Sequence, residues 1–257
     1  MRNLSYIIKF LIITYVGFLH SYNYLFKESY AELNGDGQKD FIYTQMLKNG
    51  TMRLDARIGG KYYKKQINYQ LWDIKPDEFD SVIVRNNERI TYYYMGSYIS
   101  YSLVSFIRPD RSVNRYVGII NVHWWSGAAD GGEGNGIIVI YWDDKSQTFK
   151  NTHILVEGEI QQIFYPRWTI IYYKFLGWYS FLAHSEQPAI KICKVWDWNS
   201  MGFRIDYSRF LKDYLNMLKR LRFYLLKAKK LRNPQDIRRI KEDIKTLMNL
   251  INKSLQE

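Results

Sequence analysis

The sequence predicts a mainly β protein, a small or irregular propeller-like body or a two-sheet antiparallel sandwich, followed by a C-terminal α-helical hairpin. Three observations predict it. From Tyr30 to Tyr207 short apolar and aromatic runs are broken by Gly, Asn, Asp and Pro, the layout of strands and turns. Inside that stretch Trp142-Asp143 precedes Phe149-Lys150 and Trp196-Asp197 precedes Phe203-Arg204, the same spacing twice at a separation of 54 residues. This reads as a recurring hairpin with a blade-like period, although roughly 175 residues hold only three or four such blades. After Asp206 the apolar period changes to alternating threes and fours, the period of an amphipathic helix. The expected organisation is a signal peptide or N-terminal anchor over residues 1–26, a β body over 27–206 and a basic helical hairpin over 207–257.

At the N-terminus Arg2 and Lys9 precede the uncharged run Phe10–Leu19. A short positive region followed by about ten apolar residues is the layout of a secretory leader and is short for a membrane span. The expected location is therefore extracytoplasmic: periplasmic, secreted or anchored at the N-terminus. No Ala-x-Ala cleavage site is present, and Leu19-His20-Ser21 is the nearest candidate.

Next comes the one stretch in which residue types and spacing specify a chemistry. In Glu32-Leu33-Asn34-Gly35-Asp36-Gly37-Gln38-Lys39-Asp40, side-chain oxygens fall at 32, 34, 36 and 40. Gln38 offers a backbone carbonyl, and Gly37 can take the positive φ that folds such a loop around one ion. A hard cation needs that many oxygens, so Ca2+ is the expected cofactor, with Glu32, Asn34, Asp36, Gln38 and Asp40 as its ligands. An EF-hand is excluded, because the twelfth position is Tyr43 rather than Glu. The residues that follow, Phe41-Ile42-Tyr43-Thr44-Gln45-Met46, also favour a strand over a helix. Asn34-Gly35-Asp36-Gly37 with Asp40 resembles the D-x-N-G-D-G-x-x-D loop of FG-GAP and VCBS-type repeats. In those repeats the loop lies between strands of a propeller blade, and the resemblance implies adhesion or ligand recognition. It covers nine residues, occurs once and has Glu32 in place of the first Asp. A polar turn without a metal is the competing reading. With few carboxylates the site suits the millimolar calcium outside cells.

Thr51–Ile58 alternates between Asn49-Gly50 and Gly59-Gly60, the pattern of a meander. The segment Asp73–Asp80, interrupted by Pro76, reads as a surface loop. Ile90–Tyr94 and Tyr98–Phe106 favour strands, with a turn at Arg108–Ser112. Val117–Trp125 then enters Ser126–Gly136, which holds five glycines, and Gly136–Trp142 returns as a strand. The order of a phosphate loop is missing. A glycine-rich hairpin results, and its candidate ligand-binding residues are His123, Trp124, Trp125, Asp130, Glu133 and Asn135, for a protein or glycan ligand. The alternative enzymatic reading is a secreted, glycan-directed hydrolase using Asp130 and Glu133, which requires two carboxyls at a fixed separation. No serine-nucleophile motif or His-Glu-x-x-His spacing is present, so no catalytic residue is assigned.

All eight tryptophans fall between Gln70 and Trp198, and there are 23 tyrosines, so aromatic packing dominates the body. Cys193 is the sole cysteine, which excludes an internal disulfide and predicts a buried structural thiol.

In the tail, Leu211, Tyr214, Leu218, Leu221, Leu225 and Ala228 form one apolar stripe, and Ile237, Ile240, Ile244, Leu247 and Ile251 form a second. Between them Asn233 is a helix N-cap and Pro234 fits the first helical position. Residues 207–257 hold 14 Lys and Arg against 5 Asp and Glu, three quarters of the net +12. No nucleic-acid-binding motif accompanies that charge, so nucleic acid is not an expected partner. The basic face is either solvated or an anionic membrane surface contact, the basis for a second alternative, a membrane-surface or partner-docking module.

Overall fold

The computed structural model describes residues 24–47, 50–68, 78–85, 88–127 and 132–256. Among the described residues half are strand, arranged in three antiparallel sheets with no closed barrel, and a helix pair follows. The body is β and the tail a helical hairpin, as the two apolar periods require. Contacts divide the chain into two compact units. The first extends through Leu155, and the second comprises Pro109–Arg111 and Val156 onward.

In the first unit, β1 (Tyr24–Ala31), β2 (Asp40–Leu47), β3 (Thr51–Ile58) and β4 (Lys61–Asn68) form a four-stranded meander. Alternation fixes its inner face: Asp40, Ile42, Thr44 and Met46 of β2 point inward, as do Met52, Leu54, Ala56 and Ile58 of β3. Most of the leader, residues 1–23, lies outside the described residues. Tyr24, Leu25 and Phe26, assigned to it from sequence, belong to β1 and pair with Leu47, Met46 and Gln45.

The second sheet takes the order β11-β10-β9-β7-β6-β5, from β5 (Ser81–Arg85), β6 (Arg89–Tyr94), β7 (Ser97–Ser102), β9 (Val117–Trp125), β10 (Glu133–Asp143) and β11 (Thr148–Glu157). The short β8 (Ser105–Ile107) pairs with β9. One continuous core joins the two sheets, with Ile42 and Leu54 from the first and Tyr92, Tyr101, Ile120, Ile138 and Trp142 from the second. Two sheets burying their inner faces against each other is the sandwich arrangement.

In the second unit, β12 (Ile160–Ile163), β13 (Thr169–Phe175), β14 (Ala189–Asp197) and β15 (Gly202–Ile205) form another meander. Helices α1 (Leu211–Lys230) and α2 (Pro234–Ser254) bury Tyr214, Leu221, Tyr224 and Ala228 together with Ile240, Leu247 and Ile251. The same core takes in Ile190 and Ile192 of β14. Asn233 caps α2, its side chain accepting from the Gln235 and Asp236 amides with Pro234 at the first turn. Among the described residues, no helix is long and apolar enough to cross a membrane.

Candidate functional site

The loop between β1 and β2 is built from side-chain oxygens turned onto backbone amides. Glu32 Oε1 accepts from Gly35 N at 2.8 Å, and Asp40 Oδ2 accepts from Leu33 N at 3.0 Å. Asn34 Oδ1 accepts from Asp36 N at 3.2 Å, and Asp36 Oδ1 from Gln38 N at 2.8 Å. Asn34 Nδ2 also donates to Asp36 Oδ2 at 2.9 Å. Two residues take positive φ, Gly35 at 83° and Gly37 at 85°, a backbone that side-chain-bearing residues adopt only at a cost. The chain therefore coils tightly from Glu32 to Asp40, bringing both ends of the motif together.

Burial grades the five candidate ligands, with Asn34 intermediate between the extremes. Glu32 and Asp40 are 3% and 2% exposed, whereas Asp36 and Gln38 lie at the surface. Glu32 Oε2 is buried and meets no hydrogen-bond partner. Burial pushes the Asp40 carboxyl above its ordinary range, the Leu33 and Gly59 amides oppose that, and the charges of Asp36 and Glu32 add to it. Asp36 is held below the ordinary range by hydrogen bonds from Asn34 and the Gln38 amide. Three acidic groups thus share one small loop, two of them removed from water. Among the described residues, no cluster of three or more His, Cys, Asp and Glu side chains is assembled tightly enough to hold a metal by itself. The oxygen set here includes an amide and a main-chain carbonyl, with Asp36 turned toward Asn34. These oxygens are of the kind a hard cation takes, and Glu32 Oε2 is the buried one that no donor reaches.

Neighbours invisible to motif reasoning hold the loop in place. Gly59 N, from the turn between β3 and β4, donates to Asp40 Oδ1 at 3.3 Å. Tyr116 N donates to the Glu32 carbonyl at 2.7 Å. Arg115 Nε donates to the Leu33 carbonyl at 2.7 Å, while its Nη2 reaches the Trp142 carbonyl at 2.6 Å and Asp144 at 2.8 Å. No local pattern around 115 signals this role, which exists only after the second sheet forms.

The second candidate set lies on β9 and β10. Asp130 lies outside the described residues. His123 pairs across the ladder with Asn135, Trp124 with Gly134 and Trp125 with Glu133. Strand alternation sends Trp124 to the opposite face from Trp125, where it packs on the core, so the two indoles do not form one platform. On the outer face His123 bridges two groups, with Nε2 2.8 Å from Glu133 Oε1 and Nδ1 3.2 Å from Tyr98 Oη. Tyr93, Tyr98 and Trp125 stand side by side on three adjacent strands, with centroids 5.9 Å and 6.2 Å apart. Tyr93 and Tyr98 were missed from sequence because their register against Trp125 is set across strands. Cys193 is fully buried, and burial raises its thiol above the ordinary value, which suits packing rather than nucleophilic attack.

No protein-family model, no curated protein and no solved structure matches this chain.

Proposed function

We propose that the chain is an extracytoplasmic, non-enzymatic binding or structural protein whose first unit is stabilised by a calcium ion in the 32–40 loop. The observation that carries this reading is Glu32: one carboxylate oxygen, buried and without a donor, in a loop whose oxygens alternate in the order a calcium site uses. An unmatched buried polar atom costs about 1–3 kcal/mol, more if charged, and a cation at that position removes the penalty. Glu32 and Asp40 would supply buried carboxylates, Asn34 and Asp36 side-chain oxygens nearer the surface, and Gln38 its carbonyl. Bound calcium would supply charge neutralisation. The chain's own contribution is to hold the loop's ends at one place, through Arg115, Tyr116 and Gly59.

The row Tyr93–Tyr98–Trp125, with His123 and Glu133 beside it, supports a recognition surface for a protein or glycan ligand, since flat rings stack on sugar C–H faces while polar groups take hydroxyls. The hydrolase alternative retains Glu133, exposed and joined to His123, while its intended partner Asp130 is outside the described residues.

Thermal melting of the full chain in chelator and in calcium tests the metal. The melting temperature is expected to rise with calcium, by the equivalent of about 2.7 kcal/mol at a hundredfold excess over Kd. Asp36→Ala, at an exposed position, is expected to remove most of the rise without unfolding the protein. A melting temperature indifferent to millimolar calcium would falsify the reading.

A further inference from the structure

The apolar side of α1 is sealed by Tyr214, Leu221, Tyr224 and Ala228. On its opposite side large apolar side chains stand in water: Leu215 is 44% exposed, Phe223 64% and Leu226 65%. At 100° per residue, Leu215, Lys219, Arg222, Leu226 and Lys230 fall on one stripe, with Phe223 along its edge. The sole acid of α1, Asp213, falls across the helix from that stripe. Among the described residues, Lys219, Arg222 and Lys230 form no ion pair. The face is therefore cationic, uncompensated and studded with Phe and Leu.

From this we infer that the outward face of α1 docks on an anionic phospholipid bilayer, with Leu215, Phe223 and Leu226 entering the interface and the basic side chains meeting the headgroups. Charge complementarity selects the occupant. A nucleic acid matches the cations but leaves Phe223 and Leu226 without a partner, and a neutral apolar partner buries uncompensated lysines. An anionic bilayer matches both, because long basic stems lie along the apolar boundary while their ends stay with the phosphates. The sequence pattern alone singled out the buried stripes and the charge. Exposure adds the apolar residues among those cations, which distinguish an inserting face from a merely solvated one. The inference does not rest on the calcium reading, since α1 belongs to the other unit.

The test is cosedimentation of the full chain, in chelator, with vesicles of phosphatidylcholine alone or mixed with phosphatidylglycerol. Binding is expected only to the anionic mixture and to weaken with salt. Lys219→Ala and Arg222→Ala should each lower the partition coefficient about fivefold, the equivalent of about 1 kcal/mol per basic residue near such a surface. Phe223→Ser with Leu226→Ser, both at exposed positions, should also lower it while helicity and melting temperature stay unchanged. Equal partition onto both vesicle types overturns the proposal, as does wild-type binding by the Phe223→Ser, Leu226→Ser variant. Equally strong, similarly salt-dependent binding to duplex DNA that survives that double substitution would make the face a general polyanion contact and overturn the lipid assignment.

Discussion

Glu32 and Asp40 are the two buried carboxyl groups of the 32–40 loop. Glu32 presents a buried oxygen to nothing, and Asp40 answers burial by holding its proton more tightly. If a cation completes the loop, Glu32→Gln should leave the chelated protein as stable as the parent or more so, because a neutral amide replaces an uncompensated carboxylate. The same substitution should cancel the calcium-induced rise in melting temperature, and a chelated variant much less stable than its parent would contradict the assignment. The pH dependence follows from Asp40. A carboxyl with a raised folded value binds its proton in the native state where the unfolded chain has lost it, so Asp40's contribution to stability in chelator falls as pH rises from the ordinary carboxylate range through the folded value, opposite in sign to those of Asp36, Asp143 and Asp197, which are held low. Calcium bound in the loop would hold Asp40 ionised and compete with that proton, so in calcium Asp40's contribution should instead rise with pH over the same interval. Melting curves across mild acid with and without calcium, compared with Asp40→Asn, separate its contribution from those of Glu32 and Asp36. The same difference in slope between the parent and Asp40→Asn in both conditions would remove Asp40 from the site.

The Trp-Asp spacing seen twice in the sequence is one hairpin built twice. In the first copy Asp143 pairs with Lys150 and accepts from Ser146 Oγ and Lys145 N, and these contacts lower its carboxyl to about 2. In the second copy Asp197 accepts from Asn199 N and Ser200 N. Four residues after each Asp the chain turns left-handed, at Gln147 (φ 49°) and Met201 (φ 48°). Each turn closes with a Trp-Phe contact, Trp142–Phe149 at 5.2 Å and Trp196–Phe203 at 5.5 Å. A side-chain-bearing residue in that conformation costs about 1–2 kcal/mol, so Met201→Gly should stabilise by about 1 kcal/mol in urea unfolding. Gln147→Gly should gain less, because Gln147 also accepts from Tyr63 Oη and donates to the Asp144 carbonyl. Equal gains at both positions would mean those hydrogen bonds contribute nothing. At the head of α2, Asn233→Ala removes the cap for two amides and should cost about 1 kcal/mol.

Periodicity made the elements legible, and sequence-distant contacts hid how they group. The change of period at residue 207 marks where strands give way to helices, but Ile190 and Ile192 of β14 share a core with Tyr214 and Leu221, so the last four strands belong with the helices. The division falls near Leu155, inside β11, where no turn residue marks it. In the loop, spacing marked the oxygens because each turns onto a backbone amide within the same nine residues. Its supports, Gly59, Arg115 and Tyr116, come from elsewhere in the chain and left no local trace. That asymmetry has a measurable consequence. Calcium bound at 32–40 would act on a loop tied by hydrogen bonds to the turn at Gly59 and to the segment before β9, all within the first unit. Amides in β1, β2, β3 and β9 should therefore gain protection from hydrogen exchange on adding calcium, since binding the native form raises the free energy of opening wherever opening releases the ion. The strands β12–β15 and both helices, which belong to the second unit, should exchange at the same rate in calcium and in chelator. Uniform protection across both units would mean that the chain opens as one cooperative body. Protection confined to the loop amides would mean that opening of the surrounding strands leaves the ion in place.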